Sequence, residues 1–335
     1  MCSVARTLQS PKANPWRTGL EQALRTPLEL LEFCRIDPDQ VDLLTEPAFP
    51  MLVPRPFASR ISPGNARDPL LLQVLARAQE AHPAQGFGTD PVGDHDRRRG
   101  SGVIHKYHGR VLLITTGACA IHCRYCFRQH YPYTQDTAMR GRWQGALDYL
   151  SERPEVTELI LSGGDPLMLD TRHLRVLTEE LVQSTAIRRL RLHTRLPIAL
   201  PDRVDDELIE WLGSLPWPVV IVIHANHPAE FDQAVDHALG RLRSAGVHLL
   251  NQAVLLAGIN DQPEALESLM ARGFAAGVLP YYLHLLDRVA GAGHFETSET
   301  RAAELMEQLR IRLPGYLVPR LVREQAGAPY KLPIL

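Results

Sequence analysis

Three cysteines stand within eight residues, Cys119, Cys123 and Cys126, in the run Gly117-Ala118-Cys119-Ala120-Ile121-His122-Cys123-Arg124-Tyr125-Cys126. The spacing is C-x3-C-x2-C. A loop this short can bring three thiolates around one iron–sulfur cube, each binding one iron, and it leaves the fourth iron without a protein ligand. An open coordination position is what a catalytic metal needs. The chain has five cysteines, an odd number with three in a tight cluster. That pattern fits metal ligation in a reducing compartment better than a disulfide framework. Two other readings stay open: a zinc site completed by His122 or His130, and three cysteines that merely pack. The remaining two, Cys2 and Cys34, lie far upstream.

A second chemical signal is scarcity. Of 36 basic residues, lysine supplies only Lys12, Lys106 and Lys331. Arginine keeps a surface soluble, but it forms no Schiff base and does not readily give up its proton. Each lysine is therefore a candidate for chemistry, set against the plain reading of Lys331 as a solvated residue. A third signal is Ser162-Gly163-Gly164-Asp165-Pro166-Leu167, which ends an apolar run. Glycines there let the backbone approach a ligand closely. The plain reading of the same residues is a capped turn.

These residues need a frame. From about residue 103, short β-rich runs alternate with amphipathic stretches. The runs are Val111–Thr115, Glu158–Ser162, Leu190–Thr194, Val219–His224, His248–Leu255 and Tyr281–Leu286, with a last one at Tyr316–Val322. The helices are expected near 140–151, 171–184, 204–214, 229–245, 262–275 and 298–311. Six β-then-α units in series predict an α/β fold with a parallel sheet and crossover helices, and a site at the C-terminal strand ends. Residues 1–100 read as an N-terminal helical and irregular extension, and 101–335 as the β/α units, which could close partly into a barrel or lie open. In the extension, one helix is expected over Gly19–Arg35 and another opening at Asp68-Pro69 with Asp68 as its N-cap. A Pro-rich link at Pro47–Pro63 separates them, and residues 82–102 read as an irregular loop. The net charge of −2 excludes a broadly basic nucleic-acid-binding surface. No apolar run approaches the ~20 residues that span a bilayer. A cytoplasmic protein is expected.

The cysteine spacing, Tyr125 before the third cysteine and the position after the first strand together resemble the radical S-adenosylmethionine (SAM) superfamily. In order along the chain follow His105-Lys106-Tyr107-His108-Gly109-Arg110, Cys126-Phe127-Arg128, Arg191-Leu192-His193-Thr194-Arg195-Leu196-Pro197, His224-Ala225-Asn226-His227-Pro228-Ala229-Glu230, Asn251-Gln252, Gly258-Ile259-Asn260-Asp261, Pro280-Tyr281-Tyr282 and Gly293-His294-Phe295. Over about residues 60–331 the chain resembles the lysine 2,3-aminomutase family, and most closely the branch that makes β-lysine for elongation factor P. This resemblance implies a radical SAM partial (β/α)6 barrel and three cofactors: a [4Fe-4S] cluster on Cys119, Cys123 and Cys126, SAM, and pyridoxal 5′-phosphate (PLP).

The same resemblance implies residue roles. Ser162, Gly163, Gly164 and Asp165 would bind SAM. Lys331 would be the catalytic lysine that holds PLP, with Lys106, Tyr107, Arg110 and Gln252 also binding that cofactor, mainly around its phosphate. Arg128 would bind the substrate carboxylate, and Asp287 and Glu324 the far ammonium of L-lysine. Two acids favour a cationic tail and would repel a glutamate tail. His224, His227 and His294 match the family pattern without an assigned role. A flavodoxin- or ferredoxin-like reductant is expected, with no nucleic-acid or membrane partner. The C-terminal zinc segment of longer lysine mutases is expected to be absent, leaving the oligomer open. Alternatives are the same chemistry on glutamate or arginine, and a non-catalytic iron–sulfur or zinc protein.

Overall fold

Alternation along the strands decides which side of the sheet faces a ligand. In the run Arg189-Leu190-Arg191-Leu192-His193-Thr194, Leu190 and Leu192 are fully buried in the main core, while Arg191 and His193 line a central cavity. Successive side chains of a strand point to opposite faces. One face thus packs apolar residues under helices, and the other presents polar residues inward. The neighbouring strands repeat this division: Leu159 and Leu161 pack in the core beside inward Ile160 and Ser162, and Ile221 and Ile223 beside inward Val220 and Val222.

A computed structural model describes residues 14–44, 46–138 and 143–334. Nine strands make one sheet in sequential order. They are β1 (Val103–Tyr107), β2 (Arg110–Thr116), β3 (Glu158–Gly163), β4 (Arg189–Thr194), β5 (Val219–Ile223), β6 (His248–Val254), β7 (Leu279–His284), β8 (Arg320–Arg323) and β9 (Leu332–Pro333). β2 to β8 run parallel; β1 and β9 add one antiparallel strand at each end. The two end strands do not pair with each other, so the sheet curls into a partial barrel without closing.

The helices are α1 (Pro15–Glu21), α2 (Pro27–Phe33), α3 (Arg55–Ala58), α4 (Pro69–Leu72), α5 (Gln144–Ser151), α6 (Thr171–Ser184), α7 (Leu196–Ala199), α8 (Asp206–Ser214), α9 (Gln233–Ser244), α10 (Pro263–Ala275) and α11 (Glu299–Arg312). Helices α5, α6, α8, α9, α10 and α11 follow β2 to β7 and complete six β/α units. The first residues of the helix expected at 140–151 lie outside the described residues, as do Cys2 and Lys12.

Three expectations change. The helix expected over Gly19–Arg35 is two helices. Pro27 opens α2, and Thr26 caps it in a capping box: Glu29 N donates to Thr26 Oγ1 at 3.2 Å and Thr26 N to Glu29 Oε2 at 3.0 Å. The last apolar run forms a strand only over Arg320–Arg323, because a 3-10 turn holds Gly315–Leu317 and Pro319 has no N–H to donate. β1 and β9, absent from the expected runs, frame the sheet. Asp68 does cap α4, accepting from Leu70 N at 2.8 Å.

The described part of the extension packs on the cysteine loop. Ile121 and Ala199 share a core cluster with Leu30, Leu31, Phe57 and Leu71. Arg124, 1% exposed, ion-pairs with Glu80 and donates to Phe49 O at 2.9 Å. His122 N donates to Leu52 O, and Arg124 N to Gln73 O, both at 2.9 Å.

Removing one member of a buried pair leaves the other charge stranded, at a cost of about 3–5 kcal/mol. Glu80→Ala should therefore lower the unfolding free energy by that order in a denaturant titration. Asp206→Ala breaks the exposed pair with Arg241 and should cost under about 1 kcal/mol. Equal effects would contradict the brace.

Candidate active site

The C-terminal strand ends open into one cavity of about 1010 Å³. All fifteen residues singled out from the sequence line it: Cys119, Cys123, Cys126, Ser162, Gly163, Gly164, Asp165, Lys106, Tyr107, Arg110, Gln252, Arg128, Asp287, Glu324 and Lys331. They come from places as far apart in sequence as 106 and 331, so the parallel sheet is what gathers them.

The cysteine loop leaves β2 and lies against the turn after β3. Gly164 N donates to Thr116 O and Asp165 N to Ala118 O, both at 2.8 Å. A Cβ on Gly164 would stand 2.3 Å from Ala118 O, and Gly163 adopts φ +124° with no room for one either. The glycines thus serve a close approach between two backbone segments. Asp165 locks the arrangement. Its Oδ1 accepts from Leu167 N (3.0 Å) and Thr194 Oγ1 (2.7 Å), and its Oδ2 from Arg195 N (2.7 Å) and Leu196 N (3.2 Å). Both oxygens are committed within the protein. Burial pushes this carboxyl up to about 6 against the pull of those hydrogen bonds. The observed work of Asp165 is to join the ends of β3 and β4.

Burial, with Cys126, Asp165 and Cys123 nearby, drives the Cys119 thiol well above its ordinary value; burial and Cys123 push Cys126 up to about 11. A bound cation would reverse this preference for the neutral thiol. Among the described residues, no three His, Cys, Asp or Glu groups converge closely enough for a single metal ion. Three cysteines on one cavity wall are the donor set of a cluster in which each thiolate takes its own iron.

A chain of opposite charges crosses the cavity. Lys331 pairs with Glu324, and Glu324 Oε1 accepts from Lys106 Nζ at 2.9 Å. Lys106 also meets Asp94 Oδ1 at 2.6 Å and Val92 O at 2.8 Å. Asp94 Oδ2 accepts from Arg128 Nε at 2.7 Å, and Arg128 Nη1 donates to Ser162 Oγ at 3.2 Å. The register explains the first link. Arg323 pairs with Leu332 across the β8–β9 hairpin, which sets Glu324 opposite Lys331. The β1–β2 hairpin delivers Lys106 and Tyr107 on one arm and Arg110 on the other, with the Arg110 guanidinium 4.7 Å from the Tyr107 ring centre.

Burial alone would raise the Glu324 carboxyl, but Lys331 and Lys106 hold it far below the carboxylate range. Burial likewise opposes ionisation of Asp94, and Arg128 and Lys106 outweigh it. Asp94 lies in the stretch expected to be an irregular loop, and nothing in its local sequence pattern distinguishes it from Asp90 or Asp96.

Behind the cysteine loop is a buried polar network. Arg195 donates to Cys123 Sγ, Tyr125 Oη (2.7 Å), Gln73 Oε1 (2.8 Å) and Glu230 Oε2 (2.9 Å). His224 Nδ1 faces Gln252 O at 2.8 Å, an acceptor only, so Nδ1 carries the proton and Nε2 accepts from Tyr125 Oη, also at 2.8 Å. Burial, then Arg195, lowers His224 to about 4, keeping it neutral. His227 and His294 do not line the cavity: His227 Nδ1 accepts from Ala229 N, and His294 stacks on Phe295. Arg195 and Glu230 stood in the motifs read from the sequence without a role.

Comparison with known proteins adds a decisive observation. An L-lysine 2,3-aminomutase of Escherichia coli (strain K12) is 43% identical over 331 residues, covering 98% of this chain and 96% of that protein. The chain belongs to the lysine 2,3-aminomutase family. Another L-lysine 2,3-aminomutase, from Haemophilus influenzae, is 42% identical over 94% of both chains. The Clostridium subterminale L-lysine 2,3-aminomutase is 30% identical over 96% of this chain and 78% of its own length. No family model matches. Among solved structures, a radical SAM methyltransferase from Sphaerobacter thermophilus superposes with a TM-score of 0.48 at 18% identity, covering 66% of this chain and 68% of that one.

The cavity suits the groups this family implies. Gln252 Oε1, His193 Nε2 and His284 Nε2 are buried without partners and line the same space. Buried polar atoms ordinarily find partners, so these three offer unused contacts to a polar ligand. Arg110, Arg191 and Lys331 add positive charge beside them.

Burial and the Glu324 carboxylate push Asp287 up to about 7, with Lys331 and Lys106 pulling the other way. Its folded value lies above the unfolded one near 3.9. The protonated form therefore stabilises the fold below the unfolded value, and that contribution is lost as pH rises through about 7. Measured without ligands, the stability of the native chain relative to Asp287→Asn should fall between pH 4 and pH 8, by at most ~4 kcal/mol. A difference that stays flat or rises would overturn this assignment.

Proposed function

We propose that the chain moves the α-amino group of L-lysine to the neighbouring β-carbon, giving β-lysine, with a [4Fe-4S] cluster, SAM and PLP as its cofactors. The observation that carries this reading is the meeting of three cysteines, a glycine turn and a rare lysine in one cavity, in a member of the lysine 2,3-aminomutase family.

Cys119, Cys123 and Cys126 would hold the cluster. Ser162, Gly163 and Gly164 would seat SAM, with Asp165 shaping that turn from behind. Lys331 would hold PLP. Arg110, Tyr107 and Gln252 would face its phosphate, with Lys106 supplying charge from its place between Glu324 and Asp94. When bound, these groups supply a hydrogen-abstracting radical and a conjugated ring that spreads the unpaired spin while nitrogen migrates.

The chain's own residues bind and orient. Arg128 offers a forked donor to the substrate carboxylate, and Asp94 fixes its direction by holding Nε. Asp287 and Glu324 present acid to the far ammonium. A glutamate side chain would meet the ionised Glu324 there and be repelled. Ile160, Val220, Val222 and Leu250 line the wall between these polar groups and keep water from the reacting carbons.

The resemblance to the elongation factor P branch supports a further reading, that the β-lysine is destined for that factor. A flavodoxin- or ferredoxin-like protein would supply the electron, in the cytoplasm. Among the described residues, no helix is long and apolar enough to cross a membrane.

Purified, oxygen-free protein given L-lysine, SAM, PLP and dithionite should form β-lysine, and glutamate and arginine should be inert. Turnover of glutamate without lysine overturns the roles of Asp287 and Glu324. Zinc without acid-labile sulfide overturns the cluster. Borohydride should trap a pyridoxyl label on Lys331, and Lys331→Ala should lose both the label and roughly a thousandfold or more of the activity. In cells lacking the gene, the mass of elongation factor P should drop by one β-lysyl group.

A further inference from the structure

The proposed function gives no part to the buried network behind the cysteine loop, although it contains a complete ion pair. Arg195 is 6% exposed at its side chain and Glu230 fully buried. Burying two charges is expensive unless the geometry is well satisfied. Here it is. Glu230 Oε1 accepts from Asn226 N (2.8 Å), His227 N (3.1 Å) and Gln73 Nε2 (3.2 Å), while Oε2 faces Arg195 Nη2. Asn226 Nδ2 ties into the same knot through Tyr125 Oη at 2.7 Å. The guanidinium lies 5.3 Å from the Phe57 ring centre. Its position is set from several sides.

The pair is also directional. Glu230 sits on Nη2, whereas Nη1 donates to Cys123 Sγ. The positive end of the pair therefore faces the sulfur, with the carboxylate one guanidinium width behind it. Hydrogen bonds to ligand sulfurs and nearby charges in a dry site are the levers a protein has over an iron–sulfur centre's potential. Reduction of the cluster adds one electron, taken from a low-potential one-electron donor, and makes its total charge more negative by one. A donor N–H and a positive charge at one sulfur favour the reduced form, and a carboxylate behind them opposes it.

We propose that Arg195 is a positioning residue that raises the reduction potential of the cluster through the N–H it donates to Cys123 Sγ, and that Glu230 both anchors Arg195 and limits the rise. This rests on the reading that Cys119, Cys123 and Cys126 hold a [4Fe-4S] cluster.

The test is a dye-mediated redox titration of the reconstituted full chain without substrate, followed by electron paramagnetic resonance, with iron and acid-labile sulfide measured on each sample. Arg195→Gln should lower the midpoint potential, Arg195→Lys should lower it less, and Glu230→Gln should raise it. Opposite signs are the signature: general loosening of the site would move all variants the same way or simply lose iron. Shifts of one sign, or no shifts, overturn the proposal. If the Arg195 variants hold no cluster, Glu230→Gln decides alone, a rise supporting the proposal and anything else refuting it. Native protein without a four-iron centre would refute the cluster reading itself, a different failure.

Discussion

Charge inside a low-dielectric ring must be paired, and the rest of this site follows from how the pairing is done. Lys331, Glu324, Lys106, Asp94 and Arg128 alternate in sign across the cavity, so each carboxylate serves two cations. Three cations thus face two ionised acids, while burial keeps a proton on Asp287 up to about 7. The surplus is positive, and Arg110 adds to it. A cavity so balanced has standing attraction for anions such as a phosphate or a carboxylate. The chain of pairs also means that no member acts alone: removing Asp94 would take a carboxylate partner from both Lys106 and Arg128 at once.

The second constraint is mechanical. The cysteine loop that follows β2, residues 117–126, has no regular hydrogen-bonded ladder to hold its shape, so its rigidity is borrowed. From one side come the glycine turn and Asp165, which knit β3 and β4 to the loop backbone. From the other come Glu80, Pro50, Leu52 and Gln73 of the N-terminal segments. Gln73 serves twice, because its carbonyl receives Arg124 N and its side chain receives Arg195. The extension is therefore part of what shapes the loop.

Much of the frame was legible because burial on one strand face imposes a period of two. Glu158–Gly163 and Arg189–Thr194 match the expected runs within a residue at each end, and α6 matches the expected 171–184. The cysteines, the glycine turn and Lys331 were legible because their residue types are rare or conformationally special. Asp94 was not: one of three aspartates in an irregular stretch acquires its importance only when the fold brings Lys106 and Arg128 to it. β9 was hidden for a related reason. Two residues carry no periodicity, and their pairing with β8 is a tertiary event. Arg195 and Glu230 were visible as letters, yet their partnership spans 35 positions and depends on β4 and β5 lying side by side.

One outcome of the lysine scarcity concerns reagents rather than ligands. Among the described residues the chain offers two primary side-chain amines, Lys106 and Lys331, and both face the same interior space. Amine-directed crosslinkers, dyes and immobilisation resins would find almost no anchorage on the described outer surface. Among the described residues such reagents would meet an amine only inside the cavity, so labelling at Lys106 or Lys331 and loss of the centre would go together.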